Sequence, residues 1–145
     1  MTRLVLLARD LARVRRHAAG SYPAECCGIL VGGEAGNDVV VDRLVAAPNA
    51  ALRDATRRYV IPPELLLATH RTARAAARKV VGYYHSHPDR PARPSSTDRR
   101  HAWPGVSYLI VSVGSGGAGE VRSWRLDDGG SDFCEEPWKL ADSPP

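Results

Sequence analysis

Apolar side chains recur along this sequence with two periods, and the switches between them outline the elements. Leu4, Leu7, Leu11 and Val14 stand at helical spacing, with Arg9, Arg13, Arg15 and Arg16 between them. That spacing predicts an amphipathic first helix ending near Gly20 and Pro23. The apolar run Cys26 to Val31, closed by Gly32-Gly33, predicts a buried strand. Gly36-Asn37-Asp38 turns it into a second strand, Val39 to Val45, as a hairpin. Residues 46–58, with Pro48-Asn49, form a loop, and Tyr59-Val60-Ile61 a third short strand. Pro62-Pro63-Glu64 opens a second helix, with Pro in its first turn and Glu at the positive end of the dipole. Its expected buried side runs through Leu66, Ala73 and Ala77. Val80 to Tyr84 is a strand that leads into His85-Ser86-His87-Pro88. Asp89 to Pro94 is a proline-bracketed loop, and Ser95 to Ala102 a short helix. Tyr108 to Val113 pairs with Glu120 to Leu126 across a glycine-rich turn, and the tail after Trp138 is expected to fray. This order of elements gives an α+β fold, a mixed sheet with flanking helices.

The 145 residues suit one domain. A chain of this size buries about 70% of its unfolded surface, so no disulfide staples are required. With 43% hydrophobic and 25% charged residues, collagen, coiled coil and wholesale disorder are excluded. The net charge of +4 is a mild excess, which does not demand nucleic acid. Cys26, Cys27 and Cys134 make an odd count, which argues against a disulfide framework and for a reducing cytoplasm. No run approaches the roughly 20 apolar residues of a membrane helix, and Leu4 to Ala8 is too short for a signal-peptide core. These features predict a soluble, cytoplasmic protein.

The chemistry gathers around His85. On a strand, His85 and His87 point to the same face and offer two imidazoles to a divalent metal. Asp98, beyond the rigid loop, can fold back as a third ligand. Two His and one Asp leave a tetrahedral zinc with one open position, the catalytic pattern, in which bound water reaches a pKa of about 7. Taken singly, His-x-His reads as two solvated side chains, and Ser95 with Asp98 as a helix capping box. Their concurrence within residues 85–98 favours the metal, and Ser95 can cap the helix while Asp98 turns inward. His101 is a weaker candidate for a fourth ligand, and His17 and His70 read as solvated. Cys26 and Cys27 read as small buried hydrophobes rather than nucleophiles. The arginine clusters read as wet helix faces, without the aromatic interleaving of a nucleic-acid surface.

His85-Ser86-His87-Pro88 followed by Ser95-Ser96-Thr97-Asp98 resembles the signature of the JAMM (MPN-plus, Mov34/PAD-1) metalloproteases. Glu25-Cys26-Cys27-Gly28-Ile29-Leu30-Val31-Gly32 resembles the glutamate segment of that family, and Pro48-Asn49 with Tyr59-Val60-Ile61-Pro62 its middle region. The likeness runs from about residue 3 to about 126. It implies a metallopeptidase domain over 1–128, with 129–145 as a C-terminal extension, folded as an α-β-α sandwich of the MPN/cytidine-deaminase-like type. It implies that His85, His87 and Asp98 bind one Zn2+ per chain and that Ser95 stabilises the oxyanion. It implies that Glu25 moves a proton from the zinc-activated water to the leaving amine. Charge alone does not single out Glu25 from Glu34, Glu64, Glu120, Glu135 or Glu136. The implied reaction is hydrolysis of peptide or isopeptide bonds after the C-terminal Gly-Gly of a ubiquitin-like protein. The compactness of the chain favours the sulfur-carrier peptidases of bacteria as its likeness, with no membrane or nucleic-acid partner and the oligomeric state left open. The alternative is a non-catalytic MPN-type interaction scaffold.

Overall fold

The computed structural model describes residues 1–141, and the final residues of the expected frayed tail, 142–145, lie outside the described ones. The elements are β1 (Arg3–Leu6), α1 (Ala8–Ser21), β2 (Cys27–Ala35), β3 (Asp38–Ala47), α2 (Pro63–Ala75) and β4 (Lys79–Pro88). They continue with α3 (Ser96–His101), β5 (Ser107–Gly114), β6 (Gly117–Leu126), β7 (Phe133–Glu136) and β8 (Trp138–Leu140). Among the described residues, eight strands join one mixed sheet in the order β7-β6-β5-β4-β2-β3-β1-β8.

Two helices sandwich this sheet. Alternation in the strands sends one set of side chains to each face. Leu30, Val81, Tyr84, Leu109 and Val111 meet Leu11, Val14 and Ala18 of α1. Ile29, Val31, Val80 and Tyr83 meet Leu65, Leu66 and Ala73 of α2. β2 and β4 run antiparallel with Cys27 opposite His85, whereas β4 and β5 run parallel with His85 beside Ile110. β2 therefore starts, and β4 ends, at the same end of the sheet. The centre tolerates no extra bulk there: a Cβ at Gly28 would stand 2.0 Å from the Tyr84 ring.

Four expectations change. Leu4 belongs to a strand, not to the first helix. Leu4, Val5, Leu6 and Leu7 are all buried, a continuous apolar run that a strand covered on both faces can hide. Leu7, still extended, stands at the N-cap, and the helix starts at Ala8. Tyr59-Val60-Ile61 joins no strand pair, because Asn49 takes over its bonding. The Asn49 side chain accepts from Val60 N at 3.1 Å and Ala51 N at 3.0 Å, and Ala50 N donates to Val60 O at 2.8 Å. Ala77 is exposed and lies past the end of α2 at a φ of 57°, so the buried side is Leu65, Leu66, Thr69 and Ala73. Trp138 to Leu140 is not loose tail: it pairs in parallel with β1, with Leu4 beside Trp138. Among the described residues, no helix is long and apolar enough to cross a membrane.

Candidate active site and metal centre

The β4 pleat delivers His85 and His87 to the α2 side of the sheet, both buried, with ring centroids 5.0 Å apart. Ser86, between them, faces the other way and accepts from Cys26 N at 2.7 Å, while Ser86 N donates to Cys26 O at 3.1 Å. These bonds fasten the mouth of β2 to β4, and so fix Glu25 beside the histidines. The Glu25 backbone is held twice more, by its N–H to Ala55 O at 2.7 Å and by Asn49 Nδ2 to its carbonyl at 3.1 Å.

Asp98 reaches the same point from α3. Ser95 caps that helix: its Oγ accepts from Asp98 N at 3.1 Å, and Asp98 Oδ2 accepts from Ser95 N at 2.8 Å. Asp98 Oδ2 also stands 3.0 Å from His87 Nε2, and Oδ1 stands 3.3 Å from His85 Nε2. The capping box and the turn toward the histidines coexist in one carboxylate. One ligand atom from each of His85, His87 and Asp98 lies within 4.8 Å of the others.

The donor chemistry of this cluster fits a cation. His87 Nδ1 lies 2.9 Å from Pro91 O, and a carbonyl can only accept, so that nitrogen carries the hydrogen. His87 Nε2 is then a bare lone pair, facing His85 Nε2 at 3.2 Å and a carboxylate. Two such groups and an acid converging in a buried place need a proton or a metal among them. Among the described residues, the buried His85 Nδ1 has no partner, which leaves that ring no competing anchor there. Tyr59 stacks on the His85 ring at 4.6 Å between centroids and fixes its plane.

The electrostatics follow from burial and from these neighbours. Burial opposes ionisation of Asp98, yet the neighbouring His85, its bond to the carboxylate and the Ser95 N–H outweigh it and hold the carboxyl well below the usual range. Burial likewise opposes a charge on His85, yet Asp98 and Glu25 raise its pKa. Glu25 goes the other way: burial pushes its pKa up, against the lowering by His85, His87 and Arg90. Its Oε2 accepts from Arg90 Nη2 at 2.5 Å, and its Oε1 has no partner among the described residues. Burial pushes the Cys26 thiol up to about 11 and that of Cys27 up to about 12, which disqualifies both as nucleophiles at neutral pH.

The sequence-selected residues His85, His87, Asp98, Ser95 and Glu25 thus meet at one end of the sheet. His101 is exposed and outside the ligand group, and His70 is exposed. His17 is not simply solvated: it is half-buried, with Nδ1 2.8 Å from Tyr84 Oη. Tyr59, Arg90, Asn49 and the Pro91 carbonyl escaped sequence reasoning. Of these, Asn49 and Tyr59 were marked only by the likeness to a family's middle region, and Pro91 only as a loop residue. Beside Asp98 opens an apolar groove lined by Tyr59, Ile61, Tyr83, Trp103 and Tyr108.

Comparison with known proteins gives a consistent picture. Residues 7–127 match the family described as prokaryotic homologs of the JAB domain. A desampylase of Haloferax volcanii is 41% identical, over 83% of this chain and 86% of the relative. The CysO-cysteine peptidase of Mycobacterium tuberculosis is 35% identical, over 92% of this chain and 88% of the relative. The solution structure of a Desulfitobacterium hafniense protein superposes with a TM-score of 0.82 at 29% identity, covering 97% of this chain and 94% of that one.

Proposed function

We propose that this chain, which belongs to the prokaryotic homologs of the JAB domain, is a zinc peptidase with Glu25 as its proton carrier. It is a hydrolase of the JAMM type, acting on peptide or isopeptide bonds. Relatives named a desampylase and a CysO-cysteine peptidase support cleavage of conjugates of ubiquitin-like or sulfur-carrier proteins. The finer reading is cleavage of the amide that follows a C-terminal Gly-Gly. The observation that carries the zinc-peptidase reading is the convergence of His85, His87 and Asp98 beside a buried glutamate.

His85, His87 and Asp98 would hold the metal. Zinc at such a donor set supplies Lewis acidity and lowers the pKa of a water to about 7. Glu25, kept dry and proton-hungry by its burial, takes the proton that the attacking water gives up. It then delivers that proton to the departing nitrogen, so the acyl side leaves as a carboxylate and the other side as an amine. Ser95 uses an Oγ lone pair for its cap, which leaves its hydroxyl hydrogen to donate to the carbonyl oxygen as negative charge builds. Glycines without side chains can lie flat along the aromatic groove between Tyr59 and Tyr108.

The test is zinc content followed by hydrolysis. Purified protein reconstituted with zinc should hold about one ion per chain and release the group attached after Gly-Gly from a small carrier protein. Chelation should abolish release, and added zinc should restore it. Protein that takes up no zinc would refute this reading.

A further inference from the structure

Arg90 has no place in the chemistry derived above, yet its guanidinium touches the proton carrier. It lies in the 89–94 loop between His87 and α3, and its Nη2 donates to Glu25 Oε2 at 2.5 Å. Among the described residues, its other hydrogen bond is a long one, 3.5 Å to Thr56 O, and the buried Arg90 Nε has no partner. A guanidinium carries five N–H donors, so Arg90 has donors to spare beside Glu25, and its side chain is 29% exposed. Arg90 lowers the proton affinity that burial gives Glu25, and drawing it away would raise that affinity further.

A carboxylate on the leaving group would draw it away. Glu25 hands its proton to the leaving nitrogen, so that nitrogen comes within hydrogen-bond reach of Glu25. In an α-amino acid the carboxylate carbon is two bonds from that nitrogen, about 2.5 Å away. A carboxylate there falls beside the group that already grips Glu25, and Arg can clamp it bidentately. A lysine side chain joined through its terminal amine carries no carboxylate at that distance.

We propose that Arg90 is the specificity residue for the leaving group: it binds the free α-carboxylate of a single amino acid attached after the scissile bond, and in exchanging partners releases Glu25. This rests on the peptidase reading above and narrows it to removal of one C-terminal amino acid.

The probes are synthetic peptides ending Gly-Gly-Ala, one as the free acid and one as the carboxamide. Binding is measured on zinc-loaded Glu25→Gln protein, which does not consume them, and kcat/KM on the wild type. The free acid should bind about tenfold tighter and be cleaved at least tenfold faster. Adding Arg90→Gln should collapse both ratios to about one. Equal binding of acid and carboxamide, no binding of either at millimolar concentration, or a preference that survives Arg90→Gln would overturn the proposal. A wild type that cleaves neither peptide while the binding preference stands would overturn the peptidase reading alone.

Discussion

Replacing Glu25 by Gln separates what this acid does for the reaction from what it does to the fold. Glu25 is 1% exposed, one oxygen has no partner among the described residues, and the other is held by Arg90. Burial raises its pKa above the ordinary value near 4.5. A carboxyl raised in this way supports the fold fully below its unfolded pKa, and that support is lost as pH rises through the folded pKa. Near neutral pH, above the unfolded pKa, burial of this acid therefore costs stability. A buried acceptor without a partner costs about 1–3 kcal/mol. Gln has the same shape, removes the charge and still offers Arg90 a carbonyl oxygen. The metal-free Glu25→Gln variant should accordingly gain about 1 kcal/mol at pH 7, a rise of roughly 2–4 °C in Tm for a domain of this size. With zinc restored, kcat should fall about 100-fold or more. Thermal melts of chelated protein between pH 7 and pH 4, with hydrolysis assays on the same preparations, measure both. The advantage of the variant should shrink toward pH 4 as the wild-type acid takes up its proton. A variant that melts below wild type at pH 7, or gains more ground in acid, would refute the desolvation argument. Retained turnover would refute the proton transfer.

Three further outcomes are expected. Asp98→Ala should lose zinc, from about one ion per chain to a small fraction by elemental analysis, because it removes the only carboxylate of the ligand group. Ser95→Ala should lower kcat about 100-fold with little change in KM. The same change should lower Tm through loss of the cap, worth about 1 kcal/mol, while zinc content stays at wild-type level. Gly28→Ala should destabilise by about 1–3 kcal/mol or more in denaturant titration, since the Tyr84 ring, tethered to His17, must move aside.

How much of this was legible depended on whether a residue's partner lay nearby in sequence. The two histidines and Asp98 were legible because a strand period of two and a helix cap are local rules, and the loop between them is short. Glu25 was not legible physically. What distinguishes it is burial against β4, fixed by the Cys26–Ser86 bonds across the sheet, and only the likeness to a known signature selected it. Tyr59 and Arg90 act on His85 and Glu25 across distances in sequence that no periodicity spans. Leu4 misled because a buried strand directly followed by an amphipathic helix can keep the helical spacing by coincidence. Trp138 to Leu140 carried no strand signal at all, since so short an edge strand is specified by its neighbour β1 rather than by its own residues.

The two-way bond between Ser95 and Asp98 has a consequence for how the centre acquires its ion. One oxygen of Asp98 closes the first turn of α3 and also faces His87. The ligand is therefore already immobilised by its own backbone before any cation arrives. Loss of side-chain freedom, which ordinarily opposes capture of an ion by a loose carboxylate, is incurred when the chain folds. Filling the centre is then a docking event on a rigid seat, and emptying it leaves the helix wound.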